Sequence, residues 1–157
     1  IDCAMHLGSW GLKYAMGISD NHGLCEGKKV ITTPGAKSVQ FTESLDDLAI
    51  RSGVGEMLHF YMVSGNNDYE FFCKHYEVAL SKGMQAMSLL IHRCLMIKKG
   101  FVERDEFDKG ERLLLNYGHS FGHAIETLTD YKVPHGIAVS YGMDMSNYIS
   151  VKYNYIY

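Results

Sequence analysis

The sequence predicts a mainly α fold with a short N-terminal β-hairpin. Apolar residues Met84, Met87, Leu90, Ile91, Cys94, Leu95 and Ile97 recur at intervals of three and four over 83–99, which is the period of one helix face. Two runs with β-branched residues, Lys29–Thr33 and Lys37–Thr42, are split by Pro34-Gly35, the pattern of a hairpin. The only prolines, Pro34 and Pro134, fall between predicted elements, where a missing N–H disrupts neither a ladder nor a helix.

Taken in order, residues 1–44 read as a loop-rich segment with short strands. Gly8, Gly11, Gly17, Gly23, Gly27 and Gly35 leave room for at most one short helix there. Residues 45–157 read as a helical domain. Its first helix is Ile50–Val63, with Gly53 and Gly55 weakening the first turn. Asp68–Leu80 follows, with Phe71, Phe72, His75 and Tyr76 at helical spacing. The helix over 83–99 is expected to end at Lys98 and Lys99, where the dipole favours cations. Asp105–Gly110 reads as a turn, and His119–Leu128 and Gly136–Lys152 as two further helices.

The 157 residues suffice for one domain with a real core. A 46% hydrophobic and 21% charged composition is that of an ordinary globular protein. A net charge of -3 gives no reason to expect a nucleic-acid partner. No apolar run reaches the roughly 18–20 residues that span a bilayer. Cys3, Cys25, Cys73 and Cys94 lack CxxC spacing, and are expected to be reduced thiols of a cytoplasmic protein. Met84, Met87, Met96, Met143 and Met145 read as core filling rather than soft-metal ligands.

The chemistry is concentrated late in the chain. His119 and His123 are four apart, so a helix puts both imidazoles on one face, and His135 follows in Pro-His-Gly. A zinc-type catalytic site uses three protein ligands and keeps one position open. Glu56, among glycines and apolar residues, is the best carboxylate to complete such a set. Spacing alone leaves a metal site and satisfied core histidines both open. Lys98, Lys99, Arg112 and Lys13 are the neighbouring cations; for Lys98 and Lys99 a solvated helix end is the simpler reading of the residues alone. Gly27-Lys28 lacks the spacing of a P-loop.

Several ordered pieces together resemble the dehydroquinate synthase and sugar phosphate cyclase family. They are Lys98 with Phe101-Val102, then Asp105-Glu106, Gly110 and Arg112, then Leu115-Asn116-Tyr117-Gly118-His119-Ser120-Phe121-Gly122-His123-Ala124-Ile125-Glu126. His135-Gly136, Ala138-Val139 and Gly142-Met143 complete the run, and Ser52-Gly53-Val54-Gly55-Glu56 looks like the segment bearing the family's metal glutamate. The resemblance implies the C-terminal helical domain of a parent that joins an α/β domain to an α domain, with 1–44 a remnant of the interdomain region. It implies a zinc or cobalt ion on Glu56, His119 and His135. Lys98, Arg112, Asn116, His123, His59 and Lys13 would face the substrate, a small phosphorylated sugar or keto-acid. A homodimer is compatible with it, and no nucleic acid or membrane is implied.

The implied activity is a 3-dehydroquinate synthase-like carbon–oxygen lyase of the shikimate pathway, and so of aromatic amino acid biosynthesis. NAD oxidises a hydroxyl, phosphate is eliminated, the ketone is reduced again, and an intramolecular aldol step closes the ring. His59 stands where the family usually carries a lysine, Ile137 where it carries an acid, and Leu7 where an acid precedes the early lysine. These departures place the chain in a divergent branch. A cyclase making another cyclitol, and a non-catalytic metal-binding remnant, are the alternative readings. The chain opens on Ile1 rather than Met and carries no GxGxxG after a strand, so a partial chain is expected, with NAD held by a domain upstream. This reading predicts negligible turnover from the 157 residues alone, checked by phosphate release from a sugar phosphate substrate; robust activity would refute it.

Overall fold

The computed structural model describes residues 45–155. Within them the chain forms α1 (Asp47–Ser64), α2 (Asn66–Leu80), α3 (Met84–Arg104), a 3₁₀ helix (Glu111–Asn116), α4 (His119–Leu128) and α5 (His135–Lys152). No strand occurs among the described residues, so this part is helical as expected. The predicted hairpin, and Lys13 with it, lie outside the described residues.

α1 is the hub. It packs against α2, α3, α5 and the 3₁₀ helix, while α4 packs on α5. The Asp46 side chain caps it by accepting from the Ala49 N–H at 2.7 Å, which satisfies one of the orphan donors of the first turn. One apolar core joins α1, α2 and α3 through Ile50, Met57, Tyr61, Phe72, Leu90 and Cys94. Tyr61 is fully buried, and its hydroxyl donates to the Leu90 carbonyl at 2.7 Å, so its one polar atom does not go unsatisfied. Cys73, exposed, and Cys94, buried, are not joined in a disulfide.

Two sequence expectations need correction. α3 does not end at Lys98 and Lys99 but runs on to Arg104. Phe101 and Val102 are buried against the core, and that packing carries the helix through Gly100. Asp105 then ends it. Its carboxylate accepts from the backbone N–H groups of Lys109 at 3.0 Å, Gly110 at 2.7 Å and Arg112 at 3.0 Å, closing the expected turn. Met87 and Met143 fill the core as expected, but Met96 and Met145 are exposed, because they lie off the apolar stripes of α3 and α5. The 3₁₀ helix has no counterpart in the sequence reading; it buries none of its six residues, so it leaves no apolar period to detect. Among the described residues no helix is long and apolar enough to cross a membrane.

Glycines let the helices around α5 meet backbone to backbone. The Gly136 N–H donates to Ser52 Oγ of α1 at 3.1 Å. A Cβ on Gly136 would overlap the Ser52 carbonyl oxygen and come within 2.6 Å of the Glu56 nitrogen. Gly55, on the α1 side of the same crossing, would meet the Gly136 carbonyl at 2.5 Å. Gly55 therefore costs helix propensity but permits the crossing. We expect Gly136→Ala to destabilise the chain by about 3 kcal/mol, the upper end for overpacking without room to relax. Chemical denaturation checks this; a loss below about 1 kcal/mol would mean that the crossing yields easily.

Candidate metal centre

Three helices deliver the ligand atoms. Glu56 lies in the middle of α1, His119 opens α4, and His135 opens α5 directly after Pro134. Gly118 precedes His119 at φ 79°, a left-handed conformation that turns the chain from the 3₁₀ helix into α4 and that glycine adopts without strain. Glu56 Oε2 lies 3.2 Å from His135 Nε2 and 3.9 Å from His119 Nε2. Ligand atoms of the three residues all lie within 4.8 Å of one another. Zinc–ligand bonds near 2.0–2.1 Å in a tetrahedron imply separations of roughly 3.3 Å, so small side-chain adjustments suffice.

The outer hydrogen bonds favour the required tautomers. His135 Nδ1 lies 3.1 Å from Glu126 Oε1, and His119 Nδ1 lies 3.3 Å from the Tyr117 carbonyl. A proton kept on each Nδ1 leaves both Nε2 atoms as the ones that can give up a proton and bind a cation beside Glu56, the arrangement that metal-binding imidazoles use. Glu56 Oε2 is itself buried without a hydrogen bond, its approach to His135 being an ion pair rather than an aligned bond. A buried carboxylate oxygen in that condition is costly unless a cation meets it. The residues present therefore fit a divalent ion.

Electrostatics ties the cluster together. Burial acts to raise the pKa of Glu56, but His135, His59 and His119 around it outweigh burial and lower it. Contact with Glu56, opposed by burial and helped by Glu126, lifts His135 to about 9. Burial lowers His119. Burial also carries His59 down to about 4, against the pull of Glu56.

The other expected residues surround this cluster to different degrees. His123 is exposed on α4, with its ring 5.4 Å from that of His119 and 5.7 Å from that of His135. His59 is 1% exposed, sits 3.9 Å from Glu56 Oε2, and has no hydrogen bond on either ring nitrogen. Lys98 Nζ lies 5.7 Å from the centre of the Phe60 ring, and its charge adds to the lowering of His59. Arg112 is turned to the preceding loop, where Nη1 donates to the Glu106 carbonyl at 3.0 Å. Asn116 is exposed at the end of the 3₁₀ helix. Glu126 was missed by the sequence reading, although it lies seven residues after His119 and so on the same face of α4. A cleft of about 660 Å³ lies elsewhere, lined by the Arg93–Asp68 and Arg104–Glu111 pairs, and none of the expected site residues lines it.

Fold and cluster together define a helical domain with a His–His–Glu set of metal-ligand spacing. The family model for the 3-dehydroquinate synthase C-terminal domain matches residues 53–157, and the chain belongs to that family. It is 35% identical over 133 residues to the 3-dehydroquinate synthase of Dictyoglomus thermophilum, covering 81% of this chain and 38% of that protein. It is 34% identical over 106 residues to that of Sulfolobus acidocaldarius, covering 67% and 30%. It is 41% identical over 105 residues to that of Clostridium beijerinckii, covering 64% and 29%. The chain thus spans little more than a third of these relatives at most.

The two strongest histidine shifts have opposite consequences for stability. His59 is lowered on folding, so the unfolded chain binds its proton first, and stability falls as pH drops from 6.5 toward 4. His135 is raised, so its contribution is complete below 6.5 and is lost as pH rises through about 9. With a chelator present we expect the melting temperature to peak near pH 6.5, and His59→Leu to flatten the acid limb. An acid limb between pH 6.5 and 4.5 that is unchanged in the variant would show that His59 does not titrate as its surroundings dictate.

Proposed function

We propose that this chain is the metal- and substrate-binding part of a 3-dehydroquinate synthase-like sugar phosphate cyclase. The observation that carries this reading is the convergence of His119 and His135 Nε2 on a buried Glu56 oxygen that lacks a hydrogen bond. Glu56, His119 and His135 would hold zinc or cobalt; such ligands accept either ion. The bound ion would polarise a substrate oxygen, and NAD, from a part of the protein outside these residues, would carry the hydride.

The remaining residues take their roles from position and charge. Lys98 and Arg112 would hold phosphate or carboxylate groups, Arg112 with a planar fork once released from the Glu106 carbonyl. Asn116 would orient a hydroxyl. His123, exposed beside both ligand imidazoles, is placed to move a proton to or from bound substrate. His59 would border the same space from beneath, and Lys13 would reach it from the N-terminal segment. The substrate class is a small phosphorylated sugar or keto-acid. The second reading, a non-catalytic metal-binding domain, is favoured by one observation: His59 puts a buried, low-pKa imidazole where a permanently charged side chain would grip an anion.

Elemental analysis of the purified chain, beside Glu56→Ala and His119→Ala, tests the metal assignment. We expect about one zinc-like ion per chain and its loss in both variants, the stoichiometry of a single three-ligand site. Failure to take up zinc or cobalt, or retention of the ion in both variants, would overturn it.

A further inference from the structure

We propose that Glu126 is the positioning residue of His135. Its carboxylate accepts the Nδ1 proton, holds Nε2 toward Glu56, and so raises the chain's affinity for a divalent metal ion. The inference rests on the Glu56–His119–His135 reading and deepens it.

Buried polar or charged residues among those described are Ser52, His59 and Glu126, so Glu126 is the one carboxylate in that group. A carboxylate taken out of water needs a cationic or hydrogen-bonding partner. Among the described residues its ion-pair partner is His135, with Oε1 and Nδ1 3.1 Å apart. The α4 register supplies this contact. His119 and Glu126 are two turns apart on one face, and that face meets α5 where His135 begins it.

An imidazole has two nitrogens, and a proton committed to Glu126 from Nδ1 leaves only Nε2 to bind a cation. That atom is the one 3.2 Å from Glu56. The negative charge behind the ring also makes Nε2 a more basic ligand. His119 is oriented by a backbone carbonyl instead, so Glu126 is the outer partner that a substitution can remove.

One alternative uses the same atoms. His123, Glu126 and His135 also bring ligand atoms within 4.8 Å of one another, which would make Glu126 a ligand of a second ion. The unmet demand lies on the other side. Glu56 Oε2 is buried and lacks a hydrogen bond, whereas Glu126 Oε1 has one. The positioning role is therefore the one the geometry favours.

The test measures zinc affinity of the chain by competition with a chromophoric chelator. It compares wild type, Glu56→Gln, Glu126→Gln and Glu126→Asp, with the ring nitrogens of zinc-loaded His135 followed by long-range ¹H–¹⁵N spectra. We expect one ion in wild type, none in Glu56→Gln, and roughly 10–100-fold weaker binding in Glu126→Gln, the usual cost of an outer-shell change. Glu126→Asp, which keeps the charge, should recover part of the affinity, and the Nδ1–H signal should move in Glu126→Gln. A general loss of fold would show in circular dichroism and would not move that signal alone. Should Glu126→Gln fail to fold, Glu126→Asp carries the comparison through its own affinity and signal. Unchanged affinity and signal at Glu126, with the ion still lost in Glu56→Gln, overturns this inference and leaves the metal reading standing. A wild-type chain without zinc, or a Glu56→Gln chain that keeps it, takes down both. Two ions per chain, with one lost in His123→Ala, makes Glu126 a ligand and overturns the positioning role.

Discussion

At the crossing of α5 over α1 there is no room for a side chain. Gly136 lies against the backbone of Ser52 and Glu56, and its N–H is bound to Ser52 Oγ. That contact sets where α5 begins, and α5 begins with His135. One residue before the glycine, the imidazole has little choice but to face Glu56. Gly142 repeats the device one layer away, where a Cβ would come within 2.8 Å of the Gly122 nitrogen, and this locks α5 to α4 and so to His119. Glu56 lies far along the chain from His119 and His135, but two close backbone contacts hold the helices that carry all three.

The cluster asks for stability rather than supplying it. Glu56 Oε2 and both nitrogens of His59 are buried without hydrogen bonds. Unsatisfied buried polar groups cost about 1–3 kcal/mol each. A structural core would replace them with apolar side chains, as α1 does on its other face with Ile50, Met57 and Tyr61. Their retention at one spot, ringed by imidazoles, is the pattern of a site that a cation completes. His135 shows the same tension from the other sign: without a metal ion its proton balances Glu56 and Glu126, and a divalent ion has to displace that proton to bind.

How much of this could be read in the chain depended on whether a residue takes part in a period. Apolar spacing located α2 and most of α3, because burial of one face repeats every three or four positions. The 3₁₀ helix was invisible for the opposite reason, since it buries nothing. Lys98 and Lys99 looked like a helix end because two cations precede a glycine; Phe101 and Val102 beyond it were the stronger signal. Gly55 looked like weakness because propensity is a local quantity, whereas its use is a contact with α5 some 80 residues on. The His–His–Glu set was legible through resemblance to a family and not through spacing, since Glu56 and His119 meet only in the fold. Glu126 was overlooked because an acid on an amphipathic helix ordinarily faces water, and only its burial marks it.

Two of the residues that the resemblance marks as departures, His59 and Ile137, lie among the described residues and divide by helix geometry. His135 and Ile137 are two apart on α5, so they point to nearly opposite sides. His135 faces the carboxylate cluster; Ile137 lines a separate, mostly apolar cleft of about 350 Å³ with Val54, Leu58, Phe72 and Leu80. An acid replaced by isoleucine there suits its apolar neighbours and does not touch the three ligand candidates. His59 is different. It lies three residues after Glu56 on α1, 3.9 Å from its carboxylate and with its ring 5.0 Å from that of His119. Of the two, Ile137 lines a surface behind the cluster, and His59 lies inside it. Of these two positions His59 is therefore the one that bears on charge beside the three ligand candidates, a buried imidazole that burial keeps neutral at physiological pH.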